Sequence, residues 1–192
     1  MIAVDIAILL PADIRWRMIG LSKDLSKKKK TRIRLSKTGC LPHITLLMGT
    51  LPRRNISDML MILKDTLATE KPFMIKRIAA NAKRAGVELE KNRAISRLQS
   101  RLERALRGQL SNHVNEDMFF RKGSESINPR TLSYVKRFAI DSSEKNYQPH
   151  ITIDSGSRKI PFYPLVFTCS HIAVCHLGNF CTCRKILGAI RL

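Results

Sequence analysis

An α+β fold with antiparallel sheets is predicted by three observations. The apolar periodicities run strand, helix, strand, helix, two strands, helix, an irregular stretch and three strands, which is not the regular alternation of a parallel α/β sheet. The length, 192 residues, suits one domain or one internally duplicated domain and is enough to bury a core. The tetrapeptide Pro-His-Ile-Thr occurs twice, in "CLPHITLLMG" (40–49) and "QPHITID" (148–154), each time at the start of a strand-like run.

The elements follow in order. "AVDIAILLP" is a mostly apolar run closed by Pro11 and reads as a first strand. It is too short to cross a bilayer, carries Asp5 and lacks the basic flank of a secretion signal, so a protein that stays in the cytosol is expected, with no membrane partner. Ile14, Met18, Leu21 and Leu25 then recur at helical spacing over 13–26. "KKKKTRIRLSK" (27–37) is a block of like charge without a periodic apolar face and reads as an exposed loop. Residues 41–50 form a strand. A helix follows, capped by Asn55 or Ser57 and carrying Ile56, Met59, Leu60, Leu63 and Leu67 on one side. "PFMIKRIAA" and "AGVELEK" suggest two strands about a polar turn. From 92 to 110 an amphipathic helix opens at Asn92 and buries Ile95, Leu98, Leu102, Leu106 and Leu110. The pattern from 111 to 145 is weak, apart from a short helix from Pro129 to Phe138. "PHITID", "LVFTCSHIAVCHL" and "CTCRKILGAIRL" read as three strands, the last two joined as a hairpin near "GNF".

Composition narrows the partners. Lys and Arg number 35 against 15 Asp and Glu, a formal charge of +20. Such a field concentrates polyanions, so RNA or a nucleotide is the expected partner. Five cysteines, an odd number without a secretory signal, predict reduced thiols.

The repeated tetrapeptide carries the chemistry. Pro suits the first residue of a strand, where no ladder donor is needed. His and Thr two residues apart then share one face, and the Ile between them turns to the core. Each copy therefore presents one imidazole and one hydroxyl: His43 with Thr45, and His150 with Thr152. Two imidazoles fit transfer at phosphorus, one taking a proton while the other gives one, with the hydroxyls on the non-bridging oxygens. No metal and no cofactor is needed for that chemistry. Tyr147, just before the second motif, is a candidate to stack on a base. Arg121 and Lys122 read as surface charge and His113 as a loop residue.

Paired His-x-Thr motifs about a hundred residues apart resemble the signature of the 2H phosphoesterase superfamily, which includes LigT-like 2′-5′ RNA ligases and cyclic nucleotide phosphodiesterases. "VDIAILLPADIRWRMI" is similar to that family's opening strand and helix, and "LPHITLLMG" to its first motif with the Gly that follows. The resemblance implies one internally duplicated domain over 1–192, with two pseudo-symmetric lobes of antiparallel sheet, helices packed outside and a central cleft. It also implies His43 and His150 as the catalytic pair, Thr45 and Thr152 as phosphate contacts, and action on 2′,3′-cyclic phosphate or 2′-5′ linked RNA ends; a monomer is favoured. Many LigT-like members carry Arg five residues after the second motif's His, where this chain has Ser155.

Two other readings of the sequence stand beside it. A non-catalytic RNA-binding module would keep the fold and the charge. A zinc-stabilised binding protein would use Cys169, His171, Cys175, His176, Cys181 and Cys183, of which strand alternation puts Cys169, His171 and Cys175 on one face. Their spacing matches no common zinc pattern, so core thiols are expected there.

Overall fold

A computed structural model describes residues 1–28, 31–81, 86–142, 146–154 and 164–192. Two four-stranded sheets, antiparallel throughout, carry the chain. The first has the order β2-β1-β7-β8 and the second β5-β4-β3-β6. The strands are β1 (Ile2–Leu9), β2 (His43–Leu51), β3 (Phe73–Asn81), β4 (Gly86–Leu89), β5 (His150–Thr152), β6 (Val166–Cys169), β7 (His171–Gly178) and β8 (Thr182–Arg191). The helices are α1 (Ala12–Lys28), α2 (Ile56–Leu67), α3 (Arg93–Ala105) and α4 (Pro129–Asp141).

β1 lies at the centre of the first sheet and alternates cleanly. Ile2, Val4, Ile6 and Ile8 join the main core, together with Ile14 and Met18 of α1 and Ile151 and Ile153 around β5. Ala3, Asp5, Ala7 and Leu9 therefore point to the other face. There Ala3 packs with Met48, Met118, Phe119 and Phe138 under α4, while Leu9 packs with Leu41, Ala173, Cys175 and Cys183. Asp5 and Ala7 fall between these two apolar clusters.

β2 changes phase along its length. Its register against β1 slips between Ile6 and Ala7, so that Ile6 faces Leu47 and Ala7 faces Thr45. Leu46 is the extra residue of a bulge, which turns Met48 onto the face already occupied by His43 and Thr45. Beyond the bulge, Gly49 makes room for the segment after α3: a Cβ there would stand 2.9 Å from Leu110 Cβ. Backbone bonds of 2.8 and 2.9 Å between Thr50 and Ser111 fasten that end of the strand.

The Asn92 cap and the Pro129 start are as the sequence predicts, whereas α3 ends at Ala105 and not at 110. Asn92 Oδ1 accepts from Ile95 N at 3.1 Å, and Asn128 Oδ1 from Arg130 N at 2.9 Å, with Pro129 in the first turn of α4. Before α2, by contrast, Asn55 makes no side-chain cap; a single 3-10 turn, Arg53–Asn55, leads into the helix.

Three expectations are corrected. "LVFTCSHIAVCHL" is two strands: β6 pairs with β3 in the second sheet and β7 with β1 in the first, the change occurring at Ser170. The basic block 27–37 is not an exposed loop throughout. α1 runs to Lys28, Lys29 and Lys30 lie outside the described residues, and Ile33 and Leu35 are only 3% and 6% exposed. Ser22 Oγ receives Leu35 N at 3.1 Å and Asp154 Oδ1 receives Arg32 N at 3.3 Å, so the segment is laid across the α1 and β5 ends. Finally, Cys175 and Cys183, in adjacent strands with Cα atoms 5.5 Å apart, form a disulfide, while Cys40, Cys169 and Cys181 are free thiols. The two cysteines are not register partners, since Cys175 faces Ile186 and Cys183 faces Leu177, and cysteine parity does not reveal their pairing.

The hairpin at "GNF" carries the fold's left-handed non-glycine residues among those described, Phe180 (φ 58°) and Cys181 (φ 54°). Such backbone needs outside support. Phe180 N donates to Thr131 Oγ1 at 3.0 Å and to Asn179 Oδ1 at 3.1 Å, so α4 holds the turn in place.

Candidate active site

β2 and β5 belong to different sheets and lie beside one another. The two Pro-His-Ile-Thr segments are thereby neighbours in space. Ile44 and Ile151 are fully buried, and His43, Thr45, His150 and Thr152 are half-buried on the opposite faces of their strands. Both histidines are oriented in the same way: His43 Nδ1 donates to the Leu41 carbonyl at 2.7 Å, and His150 Nδ1 to the Gln148 carbonyl at 2.9 Å. In each case the acceptor lies two residues before the His. That bond keeps a proton on Nδ1 and makes Nε2 the atom at which the ring gains or loses one.

Tyr147 is corrected in role. It is 3% exposed, and its hydroxyl donates to the Thr45 carbonyl at 2.9 Å. Its ring is packed in the main core and ties the segment before β5 to β2, so it is not open to a base. Burial first, and then the charge of Asp5, push its phenol well above the usual value.

The residue that sequence reasoning missed is Asp5. Its side chain is fully buried, and its Oδ2 lies 3.2 Å from His43 Nε2 and 2.8 Å from Thr45 Oγ1. A carboxylate is acceptor-only, so the Thr45 hydroxyl must donate to it. Asp5 Oδ1 has no hydrogen-bond partner among the described residues. Burial pushes the His43 imidazolium towards deprotonation, but the Asp5 hydrogen bond and charge and the Leu41 carbonyl outweigh it, and the pKa is raised above its ordinary value. The signal for Asp5 was present in the sequence as a lone acid inside "IAVDIAILLP". Within the second sheet, strand register sets Glu88 of β4 beside His150 of β5.

The terminal Cys/His set does not converge. Cys169 ends β6 in the second sheet, His171 opens β7, Cys175 is spent in the disulfide, and His176 donates Nε2–H to the Met118 carbonyl at 3.0 Å. Burial pushes the Cys40 thiol up to about 11, the Cys169 thiol up to about 12 and the Cys181 thiol higher still. Among the described residues no group of three or more His, Cys, Asp or Glu could hold a metal ion. Arg121 pairs with Asp117 at the surface, and His113 is an exposed loop residue. Ser155 lies outside the described residues. A cavity of about 370 Å³ between α3, α4 and the far half of β2 is lined by Met48, Gln99, Leu106 and Phe138, and includes none of the motif residues. No helix among the described residues is long and apolar enough to cross a membrane.

The α+β frame of two antiparallel sheets is LigT-like in fold. The chain matches the crystal structure of TT0787 of Thermus thermophilus over 100% of its own length and 98% of that chain, with a TM-score of 0.61 and 15% identity. It matches a crystal structure described as a phosphoesterase with a TM-score of 0.53 and 15% identity, over 100% of this chain and 99% of that one. It also matches Escherichia coli LigT complexed with 3′-AMP with a TM-score of 0.55 and 15% identity, over 98% of this chain and 97% of that one. At that identity the likeness concerns the fold. No family model and no curated protein matches the chain by sequence.

Proposed function

We propose that this chain is a metal-independent 2H phosphoesterase that acts on 2′,3′-cyclic phosphate or 2′-5′ linked RNA ends, through His43, Thr45, His150 and Thr152. The reading extends to one internally duplicated domain. The observation that carries it is the pairing of two identically oriented histidines on neighbouring strands, each with Nδ1 held by the carbonyl two residues before it. A shared orientation in two separate sheets is what a symmetric acid and base on one phosphate require. The fold of LigT, whose structure holds 3′-AMP, and the +20 charge support a phosphorylated ligand.

In this reading one imidazole removes a proton from water while the other protonates the ribose oxygen that leaves phosphorus. Thr152 donates to a non-bridging oxygen as negative charge grows there. Thr45 stands beside His43 and steadies it through Asp5. Incubation with each nucleoside 2′,3′-cyclic phosphate and with 2′-5′ and 3′-5′ dinucleotides, followed by phosphorus NMR of the products, tests the reading. Turnover of a cyclic phosphate or a 2′-5′ linkage that survives EDTA is expected. Complete loss in EDTA, restored by zinc, would contradict it.

A further inference from the structure

We propose that the cavity between α3, α4 and the far half of β2 is a second ligand site, which takes a small anion built on a flat aromatic ring that carries N–H, an aminopurine nucleotide being the simplest example. The cavity shares no residue with the His-x-Thr motifs, and the proposal stands independently of the phosphoesterase reading.

The cavity exists because two apolar clusters do not meet there. Leu47 and Leu106 belong to the main core, whereas Met48, Val135 and Phe138 belong to the cluster under α4, and all five line the gap of about 370 Å³. β2 supplies a residue to each side because consecutive strand residues point to opposite faces. The volume falls within the range of small-molecule pockets, roughly 300–1,000 Å³. Tyr134 meets the Phe138 ring edge-on with the centroids 5.8 Å apart, which holds that wall in place. Phe138 and the Met48 thioether together offer a soft apolar surface on which a flat ring packs.

The polar groups give the occupant its direction. Gln99 of α3 lines the cavity and is 1% exposed. Its Nε2 donates to Glu103 Oε2, one helical turn further on, at 3.3 Å. A carboxylate only accepts, so the amide nitrogen must face Glu103 and the amide oxygen must turn away. That oxygen, Oε1, is buried and has no hydrogen-bond partner among the described residues. Buried amide oxygens are nearly always paired, so the wall calls for a donor. At the rim the polarity is reversed: Arg107, just past α3, and Lys136 of α4 line the same cavity and are exposed. A ligand that answers both ends turns N–H inward and negative charge outward. An aminopurine nucleotide has that polarity when its base enters first.

Water is the rival occupant. A water molecule can give a hydrogen to Gln99 Oε1, but it needs two to four polar partners to be held. The side chains of Met48, Leu106, Val135 and Phe138 offer none. A flat ring covers these apolar walls and brings its donor with it, and its anionic group uses the rim charges that water leaves idle.

Titrations of the full chain, read at the Met48 methyl of ¹³C-methyl-methionine protein and assigned with Met48→Leu, test the proposal without any measurement of turnover. Adenosine 5′-monophosphate is expected to move that signal saturably. The 5′-monophosphate of purine riboside, which lacks only the exocyclic amine, is expected to bind about tenfold or more weakly, as for one hydrogen bond lost in a buried site. Gln99→Met, of similar volume, should weaken the adenosine nucleotide by a like factor and erase the difference between the two, since amine and amide oxygen are then one interaction. Adenosine without its phosphate should bind more weakly than the nucleotide at low salt. Ala139→Trp, from an exposed position on α4 that lines the cavity, should fill the space and abolish the shift. No saturable shift at millimolar nucleotide means a cavity that holds water only and overturns the proposal. A shift that survives Ala139→Trp places the nucleotide elsewhere and does the same, as does adenosine that binds as tightly as its monophosphate. Equal affinity of the parent for the two nucleotides also overturns it, and that comparison stands even if Gln99→Met does not fold.

Discussion

Around His43 the residue scale is set by one buried carboxylate. Because the folded-state pKa of His43 is raised, its contribution to stability is fully present below the unfolded value near 6.5 and is lost as pH rises through the higher folded value. The thermal midpoint of the parent is therefore expected to decline through that window, and the decline to flatten in Asp5→Asn; an identical pH profile for the two would contradict the linkage. His176 has the opposite sign, since burial lowers it. Its contribution is present above the unfolded value and is lost as pH falls through the folded one. The two threonines are also expected to differ. Thr152→Val should cost about 10²-fold or more in turnover, as for a lost oxyanion donor. Thr45→Val removes the hydroxyl from Asp5, whose other oxygen is already without a partner among the described residues, and should cost about 1–3 kcal/mol in urea unfolding. Equal and purely kinetic effects of the two substitutions would contradict the different surroundings of these hydroxyls. The motif residues were legible because they are a repeated pattern. Asp5 was not, because one acid in a strand has no pattern and its meaning lies in what β2 sets beside it.

Elements decide how the motifs meet. The strands β1 to β5 and the helices were legible from period and local signals, Asn92 and Pro129 above all. The bulge at Leu46 and the division of "LVFTCSHIAVCHL" at Ser170 were not, because each depends on a partner strand. An apolar run reads alike whether one sheet takes it or two do. Ile33 and Leu35 were hidden for a related reason: two apolar residues among charges have no period, yet both find the core. The link between β2 and the β5 segment rests in part on the Tyr147 hydroxyl. Tyr147→Phe keeps the ring and removes that bond, and is expected to lower stability by about 0.5–1.5 kcal/mol in urea unfolding. No loss of stability would mean that the bond does not help to join the two segments.

Across the whole molecule, the +20 charge bears on the proposed phosphorylated ligand. If the basic block guides a polyanion, Gln in place of the lysines at 27 to 30 should flatten the dependence of RNA-oligonucleotide affinity on salt and leave turnover of a mononucleotide cyclic phosphate nearly unchanged. An unchanged slope would return the block to an ordinary solvated segment. The disulfide was beyond sequence reading, since parity argued for thiols and only the folded hairpin sets the Cys175 and Cys183 Cα atoms 5.5 Å apart. The central claim, that two histidines from two sheets serve one phosphate, is tested most directly by a double-mutant cycle on whichever cyclic phosphate or 2′-5′ linkage the parent processes. His43→Ala and His150→Ala should each fold and each lose about 10²–10⁴-fold in kcat/KM, with the double mutant little worse than either single, because groups that act on one transition state fail together. Near-full turnover by either single mutant would contradict the two-histidine mechanism.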